Sequence, residues 1–419
     1  MDKIKTGKFR VVNEKTLLVT VDIGKPMLTA YCRCLQRRTW KPFEVSNNLK
    51  GFEKLWEHIC WIKTANHLEE VVVGFESTGV YGEPLAHYFR QKPVKLVQVN
   101  PMHTKRVKEL EGNSPRKTDR KDPKVIADII ELGHALSVVV PEGAAAELRR
   151  LTSARERRIE RRTALYNQLQ DLVFLIFPEF LEVMKDVKTR SAQFLLGHYP
   201  TPEAIVGLGL EGLVQVLRRV SRGKLGRERA EALYEAAQRS GGICEGRRGI
   251  LLEMGEMLSE IETLMRFMEK LEEEIRSYLK QIPYRDMLLS MKGIGDITVA
   301  GLIGEVGDFR QYRILPEIMK MAGLDLFEIS SGKHKGTRRI SKRGRPLLRK
   351  FLYFAAINTV RKGGVMHATY QRYLERGMPK MKALVAIARK LLRILFALVR
   401  DHSLYSENYM KMECLKLAA

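Results

Sequence analysis

The sequence predicts an α/β domain followed by an all-α remainder, and three observations support this. Short β-branched runs alternate with helical stretches over residues 16–141. Beyond Pro141 the chain has a helical pattern that ends in a heptad stripe. From Pro283 onward, apolar helical segments are separated by glycine turns. We therefore divide the chain into domains at 1–142, 143–282 and 283–419, with an insert of unassigned role at 177–250.

The first domain has strand-like segments separated by turns and helices. The first three form a meander, and the last two are nearly continuous apolar runs, which is typical of central strands covered on both faces. The predicted strands are 17–22, 27–35, 42–45, 71–76 and 94–99. With a helix at 49–65 and helices after the later strands, the order is β-β-β-α-β-α-β-α. That order is found in ribonuclease H-like domains, although periodicity by itself supports only a mixed α/β domain.

The charge balance favours a polyanionic partner. The chain has 73 Lys and Arg against 49 Asp and Glu, which leaves a net charge of +24. Such a field attracts nucleic acid. A membrane span is not expected, because no apolar run approaches the ~20 residues required, and basic residues interrupt the most apolar segment, Ala383–Val399.

The N-terminus and the cysteines indicate the compartment. The first 15 residues contain no apolar core before a cleavage site, so we expect a cytoplasmic protein. The five cysteines lack paired metal-site spacing. We expect reduced structural thiols, with Cys32 and Cys34 buried on one face of a strand.

Four acidic residues stand at the ends of strands or at the start of a helix in the first domain. Asp22 ends the first strand, Glu76 ends the fourth, and Asp119 and Asp122 precede a helix. Taken singly, Asp22 could serve a turn, and Asp122 could cap the helix that begins at Pro123. Carboxylates that converge from separate elements are the ligands that divalent metals prefer. Together the four acids predict a site for Mg²⁺, with Mn²⁺ as an alternative.

A serine pair precedes a strongly basic segment of the last domain. Ser330 and Ser331 are followed by nine Lys or Arg and no acid between Lys333 and Lys350. A serine hydroxyl becomes a nucleophile when a base, a metal or an electropositive surround activates it. The alternative is a solvated basic face that only holds DNA. We expect Ser341 to cap a helix or contact phosphate.

A glycine turn near the start of the last domain is a second candidate for phosphate contact. Gly293-Ile294-Gly295 joins two helical segments, and such a turn exposes backbone N–H groups at a helix start. Any tight turn between helices also favours glycine. The residues predicted to contact nucleic acid are Lys292, Gly293, Gly295, Lys333, Lys335, Arg338, Arg339, Lys342, Arg343, Arg345 and Arg349.

A heptad stripe precedes the last domain. One set of apolar residues recurs every seven positions, and a second set lies three residues further on. This pattern predicts a coiled coil that could pair with another subunit. The alternative is a helix packed inside a bundle. The stripe consists of Met254, Met257, Ile261, Leu264, Met268, Leu271, Ile275, Tyr278 and Ile282.

These segments resemble the successive motifs of the DEDD-type transposases of bacterial insertion sequences, a family that includes pilin-gene invertases and bridge-RNA-guided recombinases. The resemblance covers nearly the whole chain apart from the insert. Pro123 departs from the alanine that usually follows the last acid. In the first domain the motifs are VDIGK, FESTGVYGEPL, VNPMHTKRVKE and KTDRKDPKVIADI. In the last domain they are KGIGDITVAGLIGEVGDF, MAGLDL and SSGKHKGTRRISKRGRPLLRKFLYFAA.

The resemblance implies a RuvC-like, ribonuclease H-like first domain in which the four acids bind metal. It also implies that Ser330 or Ser331 attacks a DNA phosphate and becomes covalently joined to it. Spacing from RISKRG favours Ser330, and adjacency to Gly332 favours Ser331. The family further implies donor and target DNA, a structured guide RNA, and a homo-oligomer, either dimer or tetramer, for which the coiled coil would serve.

The leading hypothesis is therefore a site-specific DNA recombinase of an insertion sequence. The first alternative is a metal-dependent nuclease of the Holliday-junction type, whose serines only contact phosphate. The second is an architectural protein that binds DNA or RNA without catalysis. Loss of the serines separates the first two, and Asp22→Asn separates an enzyme from the third.

Overall fold

The computed structural model describes residues 10–35, 38–76, 79–111, 122–328, 336 and 338–406. They fall into two compact units. The first unit comprises the described residues of 1–146 and 283–419, and the second comprises residues 147–282. The predicted first and last domains therefore lie together in one unit.

A mixed sheet forms the first part of the first unit. Its strands within the described residues are β1 (Thr16–Ile23), β2 (Met27–Arg33), β3 (Phe43–Ser46), β4 (Glu70–Glu76), β5 (Lys95–Val99) and β6 (Leu136–Ser137). Their order across the sheet is β3-β2-β1-β4-β5-β6. The meander β1-β2-β3 is antiparallel, and β1, β4 and β5 are parallel. β6 pairs antiparallel with β5.

Helices cover both faces of this sheet. Side chains alternate between the two faces along a strand, so Val19 and Val21 of β1 pack with one core and Leu18 with the other. The first core includes α1 and α2, and the second includes Ile126 of α4. These helices are α1 (Leu49–Ala65), α2 (Glu83–Arg90), α3 (Pro101–Glu111) and α4 (Asp122–Glu131). This double coverage explains the continuous apolar runs of β1 and β4.

The second unit is helical in its described residues. The insert supplies several short helices that share a core with the end of α5 and the start of α11, built around Phe177, Phe180, Leu213 and Met254. The helices are α5 (Gly143–Ile176), α6 (Pro178–Met184), α7 (Arg190–His198), α8 (Pro202–Leu208), α9 (Leu210–Ser221), α10 (Arg227–Gln238) and α11 (Arg247–Leu279). The insert is therefore a packed helical layer.

The heptad stripe of α11 is buried within the single chain. Its members from Met254 to Ile275 are all buried, whereas Tyr278 is half-buried and Leu279 is buried in its place. The first half of the stripe, up to Leu264, belongs to the core shared with the insert. This half of α11 thus packs inside a bundle, as in the alternative interpretation, and the structure does not show a coiled coil.

Ion pairs join α5 to α11. Arg155 contacts Glu272 at 2.7 Å, and Arg161 contacts Glu260 at 2.7 Å. Because the earlier arginine meets the later glutamate, the two long helices run antiparallel side by side. The charged flanks of the stripe are therefore engaged within one chain.

The C-terminal part of the first unit is mainly helical. The described elements are α12 (Arg285–Leu289), α13 (Asp296–Val306), α14 (Leu315–Met321), β7 (Leu326–Phe327), β8 (Arg339–Ile340), α15 (Pro346–Thr359), α16 (His367–Glu375) and α17 (Lys380–Arg400). A single 3-10 turn of the described chain lies at Phe309–Gln311. Among the described helices, none is long and apolar enough to cross a membrane.

Cys32 of β2 and Cys34, which follows the strand, are both buried, as their spacing predicts. Both cysteines are free. Burial raises the pKa of the Cys32 thiol to about 12, because a thiolate is costly in an apolar core. The Cys32 thiol therefore stays protonated in the core.

Candidate functional site

Asp22 and Glu76 lie at the carboxyl ends of adjacent parallel strands. Val21 of β1 pairs with Phe75 of β4, so the two acids come next in the same register. Side-chain alternation places both on the face that α4 covers. At Gly74, for example, a Cβ would collide with the side chain of Ile130 from α4. The two carboxylates thus share one edge and one face of the sheet.

The start of α4 brings Asp122 to the same edge. Asp122 is the first residue of α4, and the Thr20 hydroxyl donates a 2.6 Å hydrogen bond to the carbonyl of Pro123. Thr20 is two residues before Asp22 and points to the same face. Three of the four acids are therefore gathered by β1, β4 and α4. Asp119 lies outside the described residues.

A threonine of α3 orients Glu76. The Thr104 hydroxyl is buried and lies within hydrogen-bond distance of two acceptors, Glu76 Oε2 at 3.0 Å and the Pro101 carbonyl at 2.8 Å, so its one proton is shared between them. The start of α3 is held by Asn100, whose side chain accepts from the backbone N–H of Met102 at 2.9 Å. Sequence reasoning did not single out Thr104, although it lies in the motif VNPMHTKRVKE.

Asp22, Glu76 and Asp122 lie at one edge of the sheet but are not close enough together to form a metal site by themselves. Mg²⁺ takes oxygen ligands from a few carboxylates and keeps other positions for water or substrate. Within the described residues, no three histidine, cysteine or acidic side chains come close enough to hold an ion. Asp119, the fourth predicted ligand, lies outside the described residues.

The base of the serine loop is a small, tightly bonded structure. Ser341 donates through its N–H to the Asp325 carbonyl at 2.9 Å and through its hydroxyl to Asp325 Oδ1 at 2.5 Å. The N–H of Lys342 donates to Gly323 at 3.0 Å, and that of Arg345 donates to Met321 at 2.7 Å. The motifs MAGLDL and RISKRGR are thus joined by hydrogen bonds next to β7 and β8. Ser341 links the two motifs here and does not cap a helix, and its phosphate contact stays a prediction.

The chain approaches itself closely at this base. A Cβ on Gly344 would collide with the Met321 carbonyl and the Gly323 N–H. Gly323 itself has φ of +64°, a conformation that glycine adopts without strain. Both glycines are therefore required by packing. Ser330, Ser331, Lys333 and Lys335, which the β7–β8 connection contains, lie outside the described residues.

The loop base contacts the sheet domain within the first unit. Arg345 donates to the carbonyl of Val139, just beyond β6, at 3.2 Å and also to the carbonyl of Glu305. Arg343 and Lys320 contribute to lowering the pKa of His103, after its burial and its neighbour His134. His103 lies at the start of α3, next to Thr104. The loop base therefore contacts the segment just beyond β6, and its cations Arg343 and Lys320 lie near His103 of α3.

The predicted nucleic-acid cations fall into two groups. Some have protein partners: Arg338 pairs with Glu328 at 2.9 Å, and Arg349 donates to the Ala322 carbonyl at 2.9 Å, as Arg345 does to its two carbonyls. Others are exposed at the loop base, namely Arg339, Lys342 and Arg343.

The glycine turn before α13 has a packing role at one of its two glycines. Gly293 has φ of +94° and lies against Thr359 of α15. Ile294 is buried, and Gly295 is the N-cap of α13 with open space around it. Lys292 is exposed. A phosphate contact at this turn stays a prediction.

Comparison with known proteins identifies the family. A family model for DEDD transposases of the IS110 type, described as a transposase, matches residues 19–178. A second model, described as the transposase IS116/IS110/IS902 family, matches residues 285–371. The two matches together cover more than half of the chain. The first contains all four acids, and the second contains both loop-base motifs.

Curated relatives agree with these models. The chain is 26% identical over 291 residues to an insertion element IS900 uncharacterized 42 kDa protein of Mycobacterium paratuberculosis, covering 69% of this chain and 73% of the relative. It is 25% identical over 295 residues to an insertion element IS110 uncharacterized 43.6 kDa protein of Streptomyces coelicolor, covering 70% and 73%. It is 32% identical over 160 residues to a probable family 20 transposase of Pseudomonas aeruginosa, covering 36% and 47%. The chain is therefore a DEDD-type insertion-sequence transposase of the IS110/IS116 family, and its enzymatic class is that of a DNA transposase.

Proposed function

We propose that this transposase cuts and rejoins DNA through a covalent phosphoserine formed by Ser330 or Ser331, with Mg²⁺ held by Asp22, Glu76, Asp119 and Asp122. The observation that supports this most is the Arg345 link between the loop base and Val139. It ties the segment that bears the serines to the domain that bears the acids.

A ribonuclease H-like assignment of the first domain supports the metal site. The strand order β3-β2-β1-β4-β5, with an antiparallel meander followed by parallel strands, is the order expected of that fold. In an α/β sheet, site residues collect at the carboxyl ends of strands. Asp22 and Glu76 occupy such ends, next to the start of α4.

The proposed chemistry is transesterification. The serine Oγ forms a bond to phosphorus, the bond from phosphorus to one deoxyribose oxygen breaks, and that oxygen leaves as an alkoxide that takes up a proton. The serine proton passes to a base or to solvent. A hydroxyl of another strand then displaces the serine, so the joining step needs no external energy.

The residues of this chain would assist in distinct ways. Thr104 holds the Glu76 carboxylate in place, and the straps between Asp325 and Ser341 fix the ends of the serine loop. Exposed Arg339 and Arg343 would stabilise negative charge that develops on the phosphate. A bound divalent metal would add Lewis-acid polarisation of the phosphate oxygens.

Guide RNA and oligomerisation belong to the same proposal. A net charge of +24 suits a protein that binds RNA as well as donor and target DNA. A dimer or tetramer would use surfaces other than the buried stripe of α11. Sequencing of RNA that copurifies with the protein tests the guide directly.

The serine variants test the proposed function against a nuclease. Ser330→Ala and Ser331→Ala are compared singly and together on a duplex with the element's end sequence, with Ser277→Ala, at an exposed position of α11, as the control. We expect the double variant to lose both cleavage and joining, and one single variant to lose them as fully. Metal-dependent cleavage that persists in the double variant would show that the serines only contact phosphate.

A further inference from the structure

Two arginines of α17 lack an acidic partner in the described part of the chain. Arg389 and Arg393 are four residues apart and therefore share one face of the helix. Arg389 is half-buried, and its Nε is buried with no hydrogen-bond partner among the described residues. Arg393 is exposed. Sequence reasoning treated both only as interruptions of an apolar helix.

The surroundings of Arg389 place it beside the loop base. Asp325 and Tyr373 are the groups that favour its charged form, and Arg393 opposes it. Asp325 directly precedes β7, and its Oδ1 is already used by the Ser341 hydroxyl. Arg389 therefore lies near Asp325 at the loop base, and Arg393 follows one helical turn further along α17.

The energetics of this pair call for an anion. Burial and the neighbouring positive charge of Arg393 lower the pKa of Arg389, because both disfavour a second positive charge there. A buried donor without a partner adds to that cost. A phosphate group would offset the repulsion between the two guanidinium groups, since the guanidinium fork matches phosphate oxygens in shape and charge.

We propose that Arg389 and Arg393 bind one backbone phosphate of the DNA strand that is presented to the β7–β8 loop. This inference rests on the proposed function, because it assigns the strand to the serine's substrate. In this proposal the two arginines bind and position the DNA strand, and they act in addition to the four acids and the serines.

Replacement of single DNA phosphates by an uncharged linkage tests this contact. One methylphosphonate at a time replaces a phosphate near the cleaved linkage of a duplex with the element's end sequence. Binding is measured in the Ser330→Ala/Ser331→Ala background, so that no covalent step intervenes. The test variants are Arg393→Gln alone and together with Arg389→Gln. The control is Arg400→Gln, on the same helix, where the arginine pairs with Asp401 at 2.8 Å.

We expect one phosphate position at which the methylphosphonate weakens binding about tenfold. The arginine variants should weaken binding of the normal duplex similarly and should show no further loss at that position. The Arg400→Gln control should keep the full tenfold sensitivity. Arg393→Gln keeps the test readable if the half-buried Arg389→Gln perturbs folding, because Arg393 is exposed.

If the effects of the methylphosphonate and of the arginine substitutions on binding add at every DNA position, the phosphate contact is wrong. Weaker RNA binding with unchanged DNA binding would also overturn it. The proposed function fails by a different observation. Absence of a covalent protein–DNA product in the protein with intact serines would refute the phosphoserine, whereas the coupling between phosphate and arginine would still be measured.

Discussion

Two sets of arginines in this chain differ in what they contact. In the second unit, Arg155 and Arg161 of α5 reach carboxylates of α11. In the first unit, Arg389 and Arg393 of α17 have no carboxylate partner within the described residues. Both sets contribute equally to the net charge of +24. The contrast teaches that the packing of the chain, and not its composition, determines which cations remain available for a nucleic acid.

Acids also differ in whether they serve the proposed site or the packing of the chain, and the largest loss of activity is expected from an acid of the site. Asp22→Asn preserves volume and removes the charge at the sheet edge. We expect DNA cleavage and joining to fall by at least about a hundredfold, with an unchanged melting temperature. The activity is measured with Mg²⁺ on the element's end sequence.

Asp128→Asn is the matched control on α4, because Asp128 pairs with Arg33 at 2.6 Å, away from the edge. It should lower the melting temperature and retain activity. Equal losses of activity in both variants would mean that the sheet edge is not the site of chemistry.

The second unit should respond through stability. Ile261 is fully buried in the helical core, so Ile261→Ala should lower the free energy of unfolding by about 2–5 kcal/mol. The cleavage rate per folded molecule should not change. Leu252→Ala, at a position that is 71% exposed, is the control and should stay within about 0.5 kcal/mol. A loss of catalysis without a loss of stability would assign this core a chemical role.

Substitutions of the loop-base cations should affect DNA binding differently, according to whether the cation is exposed or already contacts protein groups. Arg343→Gln removes an exposed charge and should reduce the salt dependence of DNA binding by about one counterion. Arg345→Gln removes a guanidinium that already contacts carbonyls, so it should leave that slope unchanged and weaken cleavage by loosening the loop base. Binding titrations at several salt concentrations measure both. Equal slopes for the two variants would contradict the division into exposed and engaged cations.

The smallest effect is expected in the α5–α11 pair. Arg155→Gln should lower stability by about 1 kcal/mol or less, since partly exposed ion pairs contribute little. The salt dependence of DNA binding should not change. Chemical unfolding and the same titrations check this, and a reduced slope would place α5 on the nucleic acid.

Local patterns made much of the fold predictable. The apolar runs of β1 and β4 and the helix at 49–65 stand within a residue or two of their predicted positions. These elements are visible because a buried strand or helix imposes its period on neighbouring residues. The edge shared by Asp22 and Glu76 followed from the same reasoning, since parallel strands end together.

Contacts between distant segments were not predictable in this way. The heptad stripe has the same period whether its partner is another subunit or α5 and the insert of the same chain. The hydrogen bond from Thr104 to Glu76 and that from Ser341 to Asp325 join separate motifs. The hydrophobic period of a sequence shows which face of an element is buried but not which segment packs against it. These contacts could therefore be identified only from the structure.

The most direct test of the central claim is to identify the residue that becomes joined to DNA. A nicked duplex of the element's end sequence traps the intermediate, and the protein is digested and analysed by mass spectrometry. The account predicts a nucleotide on the peptide that contains Ser330 and Ser331, and its loss when both serines are replaced by alanine. A nucleotide on any other residue, or cleaved DNA with no modified peptide, would contradict it.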